Sequence, residues 1–121
     1  MSTVLIIDDS PTELHLFQNM LDKYGFSTIV ADNGEEGIQK ARASRPDCIL
    51  MDVVMPGMNG FQATRKLSQD PATAKIPVII ITTKDQETDK IWGMRQGAVE
   101  YLVKPIAEEQ LVHMINAVMA A

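Results

Sequence analysis

Three aspartates, a threonine and a lysine stand at the ends of apolar runs in this chain. Val4-Leu5-Ile6-Ile7 leads into Asp8-Asp9, and Cys48-Ile49-Leu50-Met51 leads into Asp52. Val78-Ile79-Ile80-Ile81 leads into Thr82-Thr83, and Tyr101-Leu102-Val103 leads into Lys104-Pro105. Short apolar runs of this kind read as buried parallel strands. In an open α/β sheet, ligands bind just beyond the carboxyl ends of the strands. Three carboxylates, a hydroxyl and an ammonium are therefore expected to converge. Carboxylates held close together repel one another, and a hard divalent cation such as Mg2+ relieves that repulsion. An ammonium at the end of a buried strand needs an anion, so the set could hold a metal and a phosphoryl group together. A lone Asp at a strand end is commonly a turn former or a helix cap, which would suit Asp9 beside Ser10 but not all three. Thr82 taken alone could be no more than a good strand former.

The elements that must position these residues alternate along the chain. Strands are expected at about Thr3–Asp8, Ser27–Ala31, Asp47–Asp52, Ile76–Thr82 and Val99–Val103, with helical patterns between them. Ser10-Pro11-Thr12-Glu13 reads as a capping box, with Ser10 at the N-cap, Pro11 at N1 and Glu13 at N3. The first helix then places Leu14, Phe17, Leu21 and Tyr24 inward, and Gly25 stops it as a left-handed residue. Asn33 with Glu36 caps a second helix whose inner face carries Ile38 and Ala41, and Pro46 prevents its continuation. Asn59 with Gln62 starts a third, with Phe61, Thr64 and Leu67 inward, ended by Asp70-Pro71. Asp85 is placed as the cap of a fourth helix, with Ile91 and Met94 inward, Trp92 off that stripe and partly exposed, and Gly97 as the stop. A fifth begins near Ala107 and turns Leu111, Met114, Ile115 and Val118 inward.

Length and charge exclude several function classes. The 121 residues suit one domain, 1–121, with a full core, and the 45% apolar content argues against disorder. The net charge of -5 opposes phosphate backbones, so direct binding of nucleic acid is not expected. No apolar run is long enough to span a bilayer, and the N-terminus does not read as a signal peptide, which points to a cytoplasmic protein without membrane insertion. The single cysteine, Cys48, falls inside a strand and is expected to be a buried, inert thiol. His15 and His113 fall in helices without metal-ligand spacing and are expected at the surface.

Taken in order, Asp8-Asp9, Asp52 with Met55-Pro56-Gly57 and Gly60, Thr82, Gly97-Ala98 to Tyr101, and Lys104-Pro105 resemble a response-regulator receiver domain over essentially the whole chain. The resemblance implies a flavodoxin-like, doubly wound α/β fold: five parallel strands in the order 2-1-3-4-5 with five helices. It implies that Asp52 accepts a phosphoryl group from the phosphohistidine of a histidine kinase. Asp8, Asp9, Asp52 and the backbone carbonyl of Val54 would hold Mg2+, Lys104 would contact the phosphoryl oxygens, and Thr82 and Tyr101 would be the switch residues. Output through a face carrying Lys90, Trp92 and Arg95 is the corresponding expectation, with a protein target, a monomeric state and no effector domain. A cis Lys104–Pro105 bond would aim the lysine. Thr83 departs from the small residue usual at its position. Val54 and Lys84 occupy positions that tune dephosphorylation in the family, and an apolar Val54 cannot hydrogen-bond an attacking water. Residues 60–65 and 82–90 look further like the stand-alone chemotaxis-type regulators of type IV pilus twitching motility.

Three other readings compete. A phosphate sink that drains a kinase would share every one of these residues. An Asp-nucleophile phosphohydrolase usually has a second acid two residues after the nucleophile, where this chain has Val54. A flavin or nucleotide binder of the same architecture needs a Gly-rich phosphate loop after strand 1, where this chain has Asp9-Ser10-Pro11.

Overall fold

Every apolar run forms a strand in the computed structural model, which describes residues 2–120. The strands are β1 (Thr3–Ile7), β2 (Ser27–Ala31), β3 (Cys48–Met51), β4 (Val78–Thr82) and β5 (Glu100–Val103). Between and after them run α1 (Pro11–Asp22), α2 (Gly34–Ser44), α3 (Gly60–Gln69), α4 (Glu87–Arg95) and α5 (Glu108–Ala120). All neighbouring strands pair in parallel, in the order β2-β1-β3-β4-β5.

The sheet has a core on each face, which is why β1, β3 and β4 carry unbroken apolar runs rather than alternating. Successive side chains of a strand point to opposite faces. Leu5 and Ile7 of β1 accordingly join Ile38, Ala41, Phe61 and Leu67 of α2 and α3. Val4 and Ile6 join Leu14, Phe17 and Leu21 of α1 and Leu111 and Ile115 of α5. Cys48 is fully buried, and burial pushes its thiol up to about 12, so it is inert near neutral pH. His15 and His113 are exposed on their helices.

Helix ends follow the sequence in most places. The Asn33 side chain accepts the Glu36 N–H at 2.8 Å, and Asn59 and Gln62 form a reciprocal capping box at 2.9 Å in each direction. At the end of α1, Phe26 N–H reaches the Leu21 carbonyl and Gly25 N–H the Asp22 carbonyl, with Gly25 at φ 81°. That is the Schellman pattern, and only a glycine meets its left-handed position without strain.

Three expectations are corrected. Tyr24 is not on the inner stripe of α1. The helix ends at Asp22, and the Schellman turn swings Tyr24 outward to 45% exposure, where its hydroxyl donates to Glu108 Oε2 at 3.3 Å. Asp85 does not cap α4; Gln86 does, and its N–H donates to Asp89 Oδ2 at 3.3 Å. Ile91 and Met94 do not face inward either. They are 47% and 45% exposed, and the residue α4 buries is Gly93. A Cβ on Gly93 would lie 2.9 Å from Ile80 Cδ1 and 3.0 Å from Tyr101 Cδ2. The helix therefore seats itself by backbone approach, a contact that no apolar stripe announces.

Candidate functional site

The site residues are fixed because each continues the ladder of its strand by one bond. Asp8 N–H donates to the Ala31 carbonyl at 3.1 Å, Asp52 N–H to Ile7 at 2.9 Å and Lys104 N–H to Thr82 at 2.9 Å. The backbone of Asp52 is further packed by the start of α3. Gly60 N–H donates to the Val53 carbonyl at 2.9 Å, and a Cβ on Gly60 would stand 2.0 Å from the Asp52 carbonyl oxygen. No residue but glycine fits there without displacing Asp52 or α3.

Asp8, Asp9 and Asp52 converge as their types required. One carboxylate oxygen from each lies within 4.8 Å of the other two. Asp8 and Asp52 are 3% and 9% exposed, whereas Asp9 is open to solvent. Burial first, and then the charge of Asp8, push the Asp52 carboxyl up to about 6, against the opposing pull of Lys104. The donor set is all oxygen and all anionic, which is the chemistry a hard divalent cation requires. A cation placed there would relieve the repulsion that raises Asp52, so these three residues fit Mg2+.

Lys104 completes the cluster. Its Nζ lies 3.1 Å from Asp8 Oδ2, 3.1 Å from Glu13 Oε1 and 3.6 Å from Asp52 Oδ1. It also stands 5.8 Å from the centroid of the Phe17 ring. Burial pulls the ammonium down, but Asp52, Asp8 and Glu13 together outweigh it, and the net shift is upward. Lys104 is therefore charged throughout the neutral range. The Lys104–Pro105 peptide bond is cis.

Sequence reasoning placed Glu13 in a capping box and missed its part here. Ser10 Oγ does accept the Glu13 N–H, at 3.3 Å, but the Ser10 N–H goes to Asp8 Oδ1 at 3.0 Å. The reciprocal bond is thus taken, and the Glu13 carboxylate turns to Lys104 instead. Phe17 was read as a core residue, which it also is. The signal that could have found both was the spacing: positions 13 and 17 share a helix face, and that face begins beside Asp8.

The switch candidates sit one step away from the carboxylates. Thr82 is fully buried, and its Oγ1 accepts the Lys84 N–H at 3.3 Å; among the described residues it makes no hydrogen bond to the aspartates. The Tyr101 hydroxyl donates to the Lys84 carbonyl at 2.9 Å. Its ring packs on the core and against Gly93. Burial, with smaller contributions from Asp89 and Asp85, pushes that phenol up to about 12, so it remains a donor. Thr82 and Tyr101 thus hold opposite sides of the same residue, Lys84, whose Nζ lies 3.9 Å from Asp89. Val54, two residues past Asp52, is 57% exposed, and Thr83 is exposed at the rim. On α4, Trp92 is 50% exposed, Arg95 is exposed and Lys90 half-buried. Lys90 and Arg95 line a recess of about 430 Å³ with Glu87, Ile91 and Met94.

A five-stranded parallel sheet with an acidic triad and a lysine at its carboxyl edge defines a class. Residues 4–116 match the response regulator receiver domain, and the chain belongs to that family. Among relatives, the chain is 58% identical to Protein PilH of Pseudomonas aeruginosa over 120 residues, covering 99% of each chain. It is 37% identical to response regulator PleD of Caulobacter vibrioides over 94% of its own length, a match that spans a quarter of PleD. Among solved structures, chemotaxis protein CheY4 of Vibrio cholerae superposes with a TM-score of 0.92 at 31% identity, covering 98% of each chain. The receiver assignment and the flavodoxin-like order that the resemblance implied are borne out. The PilH match agrees with the finer likeness seen in residues 60–65 and 82–90. No helix among the described residues is long and apolar enough to cross a membrane.

Proposed function

We propose that this receiver takes a phosphoryl group on Asp52 from a histidine kinase and signals by reshaping a protein-binding face. The observation that carries this reading is the buried Asp52 carboxylate at the end of β3, with Asp8, Asp9 and Lys104 around it. In the reaction, an Asp52 carboxylate oxygen displaces the nitrogen of the phosphohistidine. An O–P bond forms as the N–P bond breaks, and the imidazole keeps the electron pair. Asp8, Asp9, Asp52 and the Val54 carbonyl would hold magnesium, which when bound supplies positive charge to the phosphoryl oxygens. Lys104 meets a further phosphoryl oxygen with an ammonium that burial keeps close. The chain's contribution is positioning and charge neutralisation rather than covalent chemistry beyond Asp52 itself.

Output is read on the same physical grounds. A phosphoryl oxygen near the end of β4 draws the Thr82 hydroxyl toward it, which loosens the Thr82–Lys84 bond and, through Lys84, the hold of Tyr101 on the β4–α4 segment. The face changed is that of α4 with Lys90, Trp92 and Arg95. A protein partner suits this face better than nucleic acid, given the net charge of -5. The likeness to PilH across 99% of each chain supports a receiver of the type IV pilus twitching-motility group. Phosphotransfer from a panel of autophosphorylated histidine kinases tests the reading. Label should pass to the wild type and not to Asp52→Asn; equal transfer to both would refute it. A kinase drained of phosphate with no protein retained by phosphorylated bait would favour the sink over the messenger.

A further inference from the structure

Four bonds close a ring beside the acidic cluster. Ser10 N–H donates to Asp8 Oδ1 at 3.0 Å, Glu13 N–H to Ser10 Oγ at 3.3 Å, and Lys104 Nζ to Glu13 Oε1 and Asp8 Oδ2, both at 3.1 Å. An ammonium has three donors and no acceptor. Here they are shared among three carboxylates, of which Asp52 is the most distant, at 3.6 Å. Asp8 and Asp52 are the two buried members of the cation-holding set, so Lys104 is an internal cation standing where it can neutralise the same pair. What draws it aside is Glu13, at the α1 wall of the cleft. Glu13 is available because Asp8 occupies the Ser10 N–H that a capping box would have given it.

On the reading of Asp8, Asp9 and Asp52 as the magnesium site, we propose that Glu13 is a positioning residue for Lys104. It holds the ammonium toward α1 and so keeps the Asp8–Asp52 pair open to the divalent cation. Without its charge, Lys104 closes on Asp52, and magnesium must then displace it. Phosphoryl oxygens that later draw on Lys104 must likewise compete with Glu13, which makes Glu13 a determinant of how readily the lysine is released to them.

Magnesium titration by calorimetry tests this in wild type, Glu13→Gln, Lys104→Met and the double variant. Coupling between groups in direct contact is commonly 0.5–3 kcal/mol, so Glu13→Gln should weaken magnesium by roughly three- to tenfold. In the Lys104→Met background the same change should alter affinity by less than about twofold, because Glu13 acts through the lysine. An equal loss in both backgrounds would mean a simple through-space charge effect and would overturn the proposal, as would no loss in either. If Lys104→Met does not fold, the lysine ammonium signal in metal-free protein decides. It should shift between wild type and Glu13→Gln while the Ser10 and Glu13 amides stay put; an unmoved ammonium signal overturns the proposal. A wild type that does not bind magnesium at all would instead overturn the metal reading on which the inference rests.

Discussion

Asp52 carries its function as a cost to the fold. Its carboxyl is raised to about 6, so the native state holds the proton more tightly than the unfolded chain does. Stability associated with this group is therefore present below the ordinary carboxylate range and lost as pH rises through about 6. In the presence of EDTA, Asp52→Asn should be more stable than wild type by about 2 kcal/mol at pH 7.5, the gap closing toward pH 4, with urea unfolding as the measure. Asp8 and Lys104 face this carboxyl directly and Glu13 faces the lysine, so their charges shape the size of the gap but not its sign. Added magnesium should stabilise the wild type by mass action and leave the variant nearly unmoved. A variant that is less stable than wild type without metal at pH 7.5 would contradict the placement of Asp52 in a buried acidic site that Lys104 only partly neutralises. Lys104 should matter more to the switch than to the acceptor. Lys104→Ala should still be phosphorylated, but the amide shifts at Thr82 and Tyr101 on adding beryllofluoride should shrink. Shifts equal to wild type would remove Lys104 from the relay.

At the scale of elements, the sheet was legible almost to the residue. β1, β3 and β4 carry short apolar runs buried on both faces, and these three and the half-buried β5 lead into the polar residues of the site, while the edge strand β2 does not. The helices that carry an apolar stripe, α1, α2, α3 and α5, were legible for the same reason. What failed were the contacts made without a side chain or beyond a turn. Ile91 and Met94 have inward spacing, yet α4 packs on Gly93, and the stripe is left facing solvent. Tyr24 has the right interval from Leu21 but lies past the last helical turn. Glu13 has a capping-box address, but a long-range partner, Lys104, won its carboxylate. Gly60 was read only as part of a family pattern, while its physical reason is the 2.0 Å approach to the Asp52 carbonyl. Gly60→Ala should therefore cost about 2–3 kcal/mol by overpacking and shift the Asp52 amide, measured by urea unfolding and NMR. A neutral substitution would show that α3 can retreat without disturbing the site. Tyr101→Phe keeps the ring and removes the bond to Lys84. Hydrogen exchange should quicken across Glu87–Arg95 while global stability falls by about 1 kcal/mol or less. Unchanged exchange in α4 would separate Tyr101 from that helix.

Across the whole molecule, the acidic cluster and the α4 face sit at one edge of the sheet but on different elements. The acidic cluster joins β1, β3 and β5 with α1, while the exposed apolar and basic side chains lie on α4. Lys84 links them, held by Thr82 on its N–H and by Tyr101 on its carbonyl. A phosphoryl group can move this equilibrium only by its differential affinity for the two arrangements, so the change should be small and reversible. If the α4 face delivers the output, Trp92→Ala should accept phosphate normally and fail to signal in cells. Full signalling by Trp92→Ala and Tyr101→Ala would place the output elsewhere or make the protein a sink. All of this stands on the acceptor. The most direct measurement is intact mass, followed by peptide mapping, after incubation of wild type and Asp52→Asn with acetyl phosphate and magnesium. The wild type should gain one phosphoryl mass, mapped to Asp52, that disappears with EDTA and in the variant. A phosphoryl mass that persists in Asp52→Asn would contradict Asp52 as the acceptor.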